Sequence, residues 1–276
     1  MTATVTVAAP RAGASTERRR RSARGLGLGV LAVLIVLAGW QLLSVTGVLN
    51  EQAVPSAVQV AAAMLTLLGT STFWASMWAT LASALAGLAI LTGIAVVIAA
   101  LVTRSKFLYE STWFIFEFLK PIPPIALIPL GLLLWGPSPT MKITLITFGA
   151  LWPLLTQLIY ASRAIDGVSL DVARSYRLGL ARTARYVVLP SVLPYALTGL
   201  RISASIAIII SVVTEMVGGA AGIGQDIIVA QSANDLPTMY GLIMMTGILG
   251  LLINVIFALA SRSLLFWHPS QREDLR

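Results

Sequence analysis

The chain contains no cysteine and only one histidine, His268. The first absence excludes disulfides, thiolate nucleophiles and cysteine-based metal sites. The second leaves no set of imidazoles for a metal and no histidine for a buried triad. His268, between Trp267 and Pro269 after the last apolar run, reads as an interfacial residue. No Gly-x-x-x-x-Gly-Lys-Ser/Thr stretch occurs, so ATP is not held here by a phosphate loop of that type. The Gly-rich run at 218–224 lacks the lysine and reads as a close-packed turn. Charge is scarce too, at 11% of residues against about 25% in ordinary soluble domains. Bond-making chemistry has few groups to draw on.

What is present is apolar. Hydrophobic residues make up 57% of the chain, and the mean hydropathy is +0.88. Six apolar runs have the roughly 20 residues needed to cross a bilayer as helix: 27–48, 74–102, 112–135, 141–161, 195–217 and 237–263. Segments 29–38 and 88–102 are apolar all round, whereas a helix covering a soluble core shows a polar face. The fold class expected is an all-α integral membrane protein with about six transmembrane helices. The first run is longer than the apolar stretch of a signal peptide, and Thr46 to Asn50 make a poor cleavage site, so it reads as an uncleaved anchor. Residues 1–25, rich in Ala, Thr, Ser and Arg, read as a disordered basic tail. Residues 26–265 read as the transmembrane domain and 266–276 as a second short tail.

The net charge is +8 and the pI about 10.4. Sixteen of the nineteen Lys and Arg residues fall before the first run, after the second, between the fourth and fifth, or near the C-terminus. The alternate loops hold Glu51, Asp226 and Asp235, with Lys142 at a run's edge. Basic loops stay in the cytoplasm, so the pattern predicts six spans with both termini cytoplasmic. Topology and contact with anionic lipid account for the basic balance, and nucleic acid is not needed to explain it.

Ionisable residues inside apolar runs are functional candidates by default. Glu117 and Lys120 lie three apart on one helix face, where they pair, or Lys120 snorkels to the interface. Glu215, near the outer end of the fifth run, has no obvious partner in sequence; it bonds amides of the glycine turn or lines a path. The run Pro121-Ile122-Pro123-Pro124 removes backbone donors and cannot continue as regular helix. Broken backbone at membrane depth either lines a cavity, as substrate sites in transporters do, or serves as a packing kink. Ser83/Gly87 and Ala89/Gly93 place small residues four apart, which suits close helix contact.

The longest polar stretch between apolar runs, 163–185, carries five arginines and leads to Leu189-Pro190. Asp171 is expected in the first turn of a short helix, Gly179 at its stop, and a second helical stretch, 181–188, is expected to end at Leu189-Pro190. A short helix held between two spans by a fixed stop is a candidate coupling element, and the cytoplasmic coupling loop is expected at 163–194.

This stretch resembles the cytoplasmic loop of binding-protein-dependent (type I) ABC importer permeases, with its Glu-Ala-Ala, glycine and Leu-Pro pattern. Asp171 stands for the glutamate, nineteen residues before Pro190, and Val172 and Ala173 for the alanines. Arg177 falls where the family has glycine, and Gly179 lies two residues later. Phe118 to Pro124, Leu189 to Pro194, Gly199-Leu200-Arg201 and Glu215-Met216 with Gly222-Ile223-Gly224 look like segments of the aliphatic-sulfonate, taurine, nitrate and thiamine-precursor permeases. The resemblance implies a cell-membrane permease, present as two identical copies, with ATPase subunits below and an extracytoplasmic solute-binding protein above. ATP and Mg belong to the ATPase, and this chain holds no cofactor or metal and is no enzyme. Asp171, Val172, Ala173, Arg177, Gly179, Leu189 and Pro190 are then the ATPase-coupling residues. Lys120, Pro121, Pro123, Pro124, Glu215 and Met216 are the candidates for the translocation path. The solute expected is a sulfonate or taurine-type anion, with nitrate or a thiamine-pyrimidine precursor as alternatives. A secondary transporter would need acidic ion-coupling sites that the spans hardly offer. An intramembrane enzyme would need a buried Cys or His.

Overall fold

The structure, a computed structural model, describes residues 14–47, 50 and 53–265, and these are all helix and connecting loop. The side chains of 14–26 are not described, and the tail expected at 266–276, with His268, lies outside the described residues, as do residues 1–13. The chain divides into two compact units, 1–62 and 63–276. In the first, helix α1 spans Ala14–Val45, so the backbone is already helical within the expected 1–25 tail. Trp40 Nε1 donates to the Pro55 carbonyl at 3.1 Å, and the Val58 amide donates to Gln41 Oε1 at 3.2 Å, which fastens Pro55 and Val58 to the end of α1. Helix α2, Ala57–Leu68, opens with a capping box. The Ser56 amide donates to Gln59 Oε1 at 2.8 Å, and the Gln59 amide donates to Ser56 Oγ at 3.3 Å.

The second unit is built on three long helices: α3 (Ser71–Val102), α6 (Pro139–Arg163) and α9 (Leu189–Gly218). Their shared core holds Leu91, Ala95, Ile146, Ala150, Leu155 and Ala207, all buried. Close approach of α3 to α6 depends on Gly87, where a Cβ would sit 2.5 Å from Ile146 Cγ2. The Ser83/Gly87 pair therefore serves the contact expected of it. Ala89 and Gly93 do not: both are exposed, and nothing lies near Gly93.

Between α3 and α6 the proline run breaks the chain as its chemistry requires. Helix α4 spans Lys106–Leu119, a 3₁₀ turn covers Pro124–Leu127, and α5 runs Ile128–Trp135, with 79° between the two halves. Pro123 sits at φ −70, ψ 123, the extended geometry that a following proline imposes. Five helices are long and apolar enough to cross a membrane among the described residues, and six if the bent pair counts as one.

Three short helices lie between α6 and α11 (Leu236–Leu264): α7 (Gly167–Ser175), α8 (Leu180–Thr183) and α10 (Ile223–Ser232). Leu189-Pro190 is not a stop. A π turn over Ala184–Val188 joins α8 to α9, so helix runs unbroken from Leu180 to Gly218. The Leu189 amide reaches back to the Ala184 carbonyl, and Ser191 Oγ donates to the Val187 carbonyl at 2.7 Å. These bonds let the backbone absorb a proline whose missing amide would otherwise interrupt the ladder.

Candidate functional site

At one end of α6 and α9 lies the loop singled out by its charge. Asp166 caps α7: its carboxylate accepts from the Val168 and Ser169 amides, both at 3.2 Å, and from Ser169 Oγ at 2.9 Å. The hydroxyl first, then the two amides, hold this carboxyl below the usual aspartate range. Asp171 is not in the first turn, as expected, but in the second. It is exposed and pairs with Arg174 Nη1 at 3.2 Å. Ala173 is the buried residue of α7. Val168 and Val172 lie four apart on the opposite, exposed face, and Tyr176 and Leu180 follow past the helix end, Leu180 being 93% exposed.

The stop of α7 also differs from the expectation. The Leu178 amide donates to the Ala173 carbonyl at 2.9 Å, and the Arg177 amide to the Arg174 carbonyl at 2.9 Å. Arg177 itself is left-handed at φ 51. This is the turn geometry that usually carries glycine. The helix therefore ends at Arg177. Gly179 has φ −65 and ψ 163, caps α8 from outside, and has open space where a Cβ would be. Nothing about its backbone requires glycine.

At the far end of α6 and α9 is a buried polar cluster. Lys142 Nζ lies 2.8 Å from Glu215 Oε1, with the side chains 1% and 0% exposed. The ammonium also donates to the carbonyls of Ala79 (3.2 Å) and Ala221 (2.8 Å), so all three of its donors are used. Glu215 further accepts from Ser211 Oγ (3.1 Å), Thr80 Oγ1 (2.9 Å) and the Gly224 amide (2.9 Å). Thr80 Oγ1 in turn accepts from the Ile223 amide at 3.0 Å. The cluster thus ties α3, α6 and α9 to the turn before α10. That turn wraps the carboxylate so closely that a Cβ on Gly222, at φ 152, would overlap it. The bond from the glycine turn to Glu215 was foreseeable; the pairing with Lys142 was not. Met216 is half-buried against the core beside the cluster.

The other path candidates lie elsewhere. Lys120 Nζ pairs with Glu117 Oε1 at 2.6 Å, so the two partner each other at a half-exposed site. The Pro124 ring packs where Gly149 and Ile210 approach, partway along α6 and α9, while Pro121 and Pro123 are exposed. No hydrogen bond or ion pair among the described residues links this break to Glu215. Sequence reasoning passed over one residue. Arg201, noted only within a motif, is exposed on α9, and its Nε donates to Asn254 Oδ1 of α11 at 2.5 Å. The two face a groove of about 580 Å³. Its signal was a single arginine inside an apolar run.

Residues 89–265 match the family model described as binding-protein-dependent transport system inner membrane component. The putative aliphatic sulfonates transport permease protein SsuC of Bacillus subtilis is 27% identical, covering 95% of this chain and 95% of the relative. The taurine transport system permease protein TauC of Escherichia coli is 30% identical, covering 72% of this chain and 74% of the relative. The nitrate import permease protein NrtB of Synechocystis is 27% identical over 58% of each. Among solved structures, the inward-facing MetNI methionine ABC transporter matches 70% of this chain and 95% of its own, with a TM-score of 0.61 at 21% identity. That likeness is one of fold.

Proposed function

Since this chain belongs to the family of binding-protein-dependent transport system inner membrane components, we propose that it is the permease through which an ATP-driven importer moves a small organic anion inward. The observation that carries the coupling part of this reading is the exposed apolar row Val168, Val172, Tyr176 and Leu180 on a loop with five arginines. Apolar side chains left uncovered in a charged, water-facing segment mark a protein contact rather than a lipid one. The partner is the ATPase subunit, which carries ATP and Mg. Its closure pushes on the row that runs from α7 to Leu180, and because α8, the π turn and α9 are one helix, the push at Leu180 passes directly into a span. A second identical permease and an extracytoplasmic binding protein complete the assembly, in the cell membrane, with both termini cytoplasmic.

The names of the relatives favour a sulfonate or taurine as solute, and the nitrate permease of Synechocystis supports nitrate as the second choice. All of these solutes carry an oxyanion. Co-purification tests the coupling part: the tagged chain should bring down an ATPase, and Leu180→Glu or Val172→Glu should lose it while remaining in the membrane. Removing one central apolar anchor costs about 2 kcal/mol, or roughly 30-fold in affinity. Full retention of the ATPase by both variants would refute the docking role. Growth on taurine or alkanesulfonates that is unchanged by deletion of this gene would sink the first choice of solute.

A further inference from the structure

We propose that Arg201 is the group that receives the solute's oxyanion inside the membrane, resting on the importer reading above. Arg201 lies twelve residues after Leu189 and seventeen before Gly218. At about 1.5 Å per residue it is roughly 18 Å and 25 Å from the two ends of α9, within the span. A charge at such depth is costly and needs a partner. Lys142, also within a span, is sheathed by a carboxylate and two carbonyls. Arg201 takes part in none of the ion pairs among the described residues.

Its one hydrogen bond among the described residues is to a neutral acceptor. Asn254 takes Nε and so fixes the plane of the guanidinium, leaving the two Nη groups free to donate as a fork. A fork of that kind matches two oxygens of a sulfonate, nitrate or phosphate. Among the described residues, no carboxylate lines the groove into which it opens. Leu197, Ile202 and Ile206 supply apolar wall, which suits a short alkyl chain. The volume of about 580 Å³ falls within the range of about 300–1,000 Å³ usual for small-ligand sites. Solute selection, in this view, is not left to the binding protein alone: the permease adds a filter for anionic heads.

The oxyanion has two possible sources, a solute or a lipid phosphate, and the test separates them. The full complex with ATPase and binding protein is placed in phosphatidylcholine vesicles with and without phosphatidylglycerol. Uptake of labelled taurine, ethanesulfonate and nitrate is followed beside basal ATP hydrolysis. Loss of a charge-assisted hydrogen-bond pair predicts about 10- to 100-fold slower uptake for Arg201→Gln, with smaller loss for Arg201→Lys. Basal hydrolysis and assembly should be unchanged. Because the chain has no cysteine, Arg201→Cys puts one thiol on the permease. Tagging it with a cationic methanethiosulfonate should restore part of the uptake, and an anionic one should not. Uptake by Arg201→Gln equal to wild type overturns the role of Arg201 alone. Loss of basal hydrolysis together with uptake, or wild-type uptake that fails without phosphatidylglycerol, assigns Arg201 to structure or lipid and overturns the proposal too. A wild-type complex that takes up none of the three anions overturns the anion-import reading and this inference with it, while the family assignment stands.

Discussion

At the scale of single residues, Lys142 and Glu215 matter most to stability because neither tolerates being left alone. An unpartnered charge in an apolar interior costs about 3–5 kcal/mol, whereas replacing both charges by apolar groups of similar size is near neutral. Lys142→Met should therefore lower the thermal stability of the detergent-solubilised protein sharply, and Lys142→Met with Glu215→Leu should recover most of the loss. A double variant as unstable as the single one would show that the hydrogen bonds to Thr80, Ser211 and Gly224 outweigh the ion pair. Sequence offers the glycine turn as one of two settings for Glu215, a reading within reach because Glu215 and Gly224 are only nine residues apart. Lys142 is 73 residues from Glu215, and no local pattern carries such a pairing. Asp166 makes a smaller, pH-dependent contribution. Its carboxyl is held below the usual value, so its stabilisation of α7 is complete above about pH 4 and fades as pH falls through the depressed pKa. Hydrogen exchange at the Val168 and Ser169 amides should accelerate at low pH relative to the loop's other amides, and Asp166→Asn should abolish that difference.

At the scale of elements, the loop between α6 and α9 shows where sequence pattern informs and where it misleads. The family resemblance located it, yet three of its details come out differently. The cap is Asp166, the stop is Arg177, and Leu189-Pro190 lies inside continuous helix. Each difference has a local cause. Asp171 is expected in the first turn, but the helix starts earlier, at Gly167 behind an Asp166 cap, which leaves Asp171 in the second turn. Proline ends a helix when no neighbouring turn adjusts, but here the π turn absorbs it. A left-handed arginine costs about 1–2 kcal/mol relative to glycine. Arg177→Gly should therefore stabilise the loop and leave coupling intact. Gly179→Ala should be silent in both assays, since its φ of −65 suits any residue and nothing crowds the position. An uncoupled Gly179→Ala, with ATP hydrolysis but no uptake, would mean that the loop adopts another conformation when the ATPase closes.

At the scale of the whole molecule, hydropathy alone located the long apolar helices and put the bent pair in one run, because solvation by lipid is a property of runs rather than of contacts. Helices α2 and α10 escaped because each is too short to span, although Ser56 and Gln59 carry a legible capping box. Within the second unit, the helix architecture separates the buried ion-pair cluster from the arginine-rich loop by the length of α6 and α9. The far end of α6 and α9 is pinned by the Lys142–Glu215 cluster, while the loop end is exposed and continuous with α9. In the proposed coupling, motion delivered to the loop has a fixed point to turn about, and Arg201 and Asn254 lie between the two ends, in the region that such a tilt would open or close. Orientation is the premise that makes this an importer, and the absence of cysteine makes it easy to test. Single thiols at Ser169 in the loop and at Ser232 at the end of α10 should report opposite sides. An impermeant maleimide added to intact cells should label Ser232→Cys and spare Ser169→Cys until the membrane is opened. Labelling of Ser169→Cys from outside would put the arginine-rich loop on the wrong side for an ATPase and would leave the apolar row without its proposed partner.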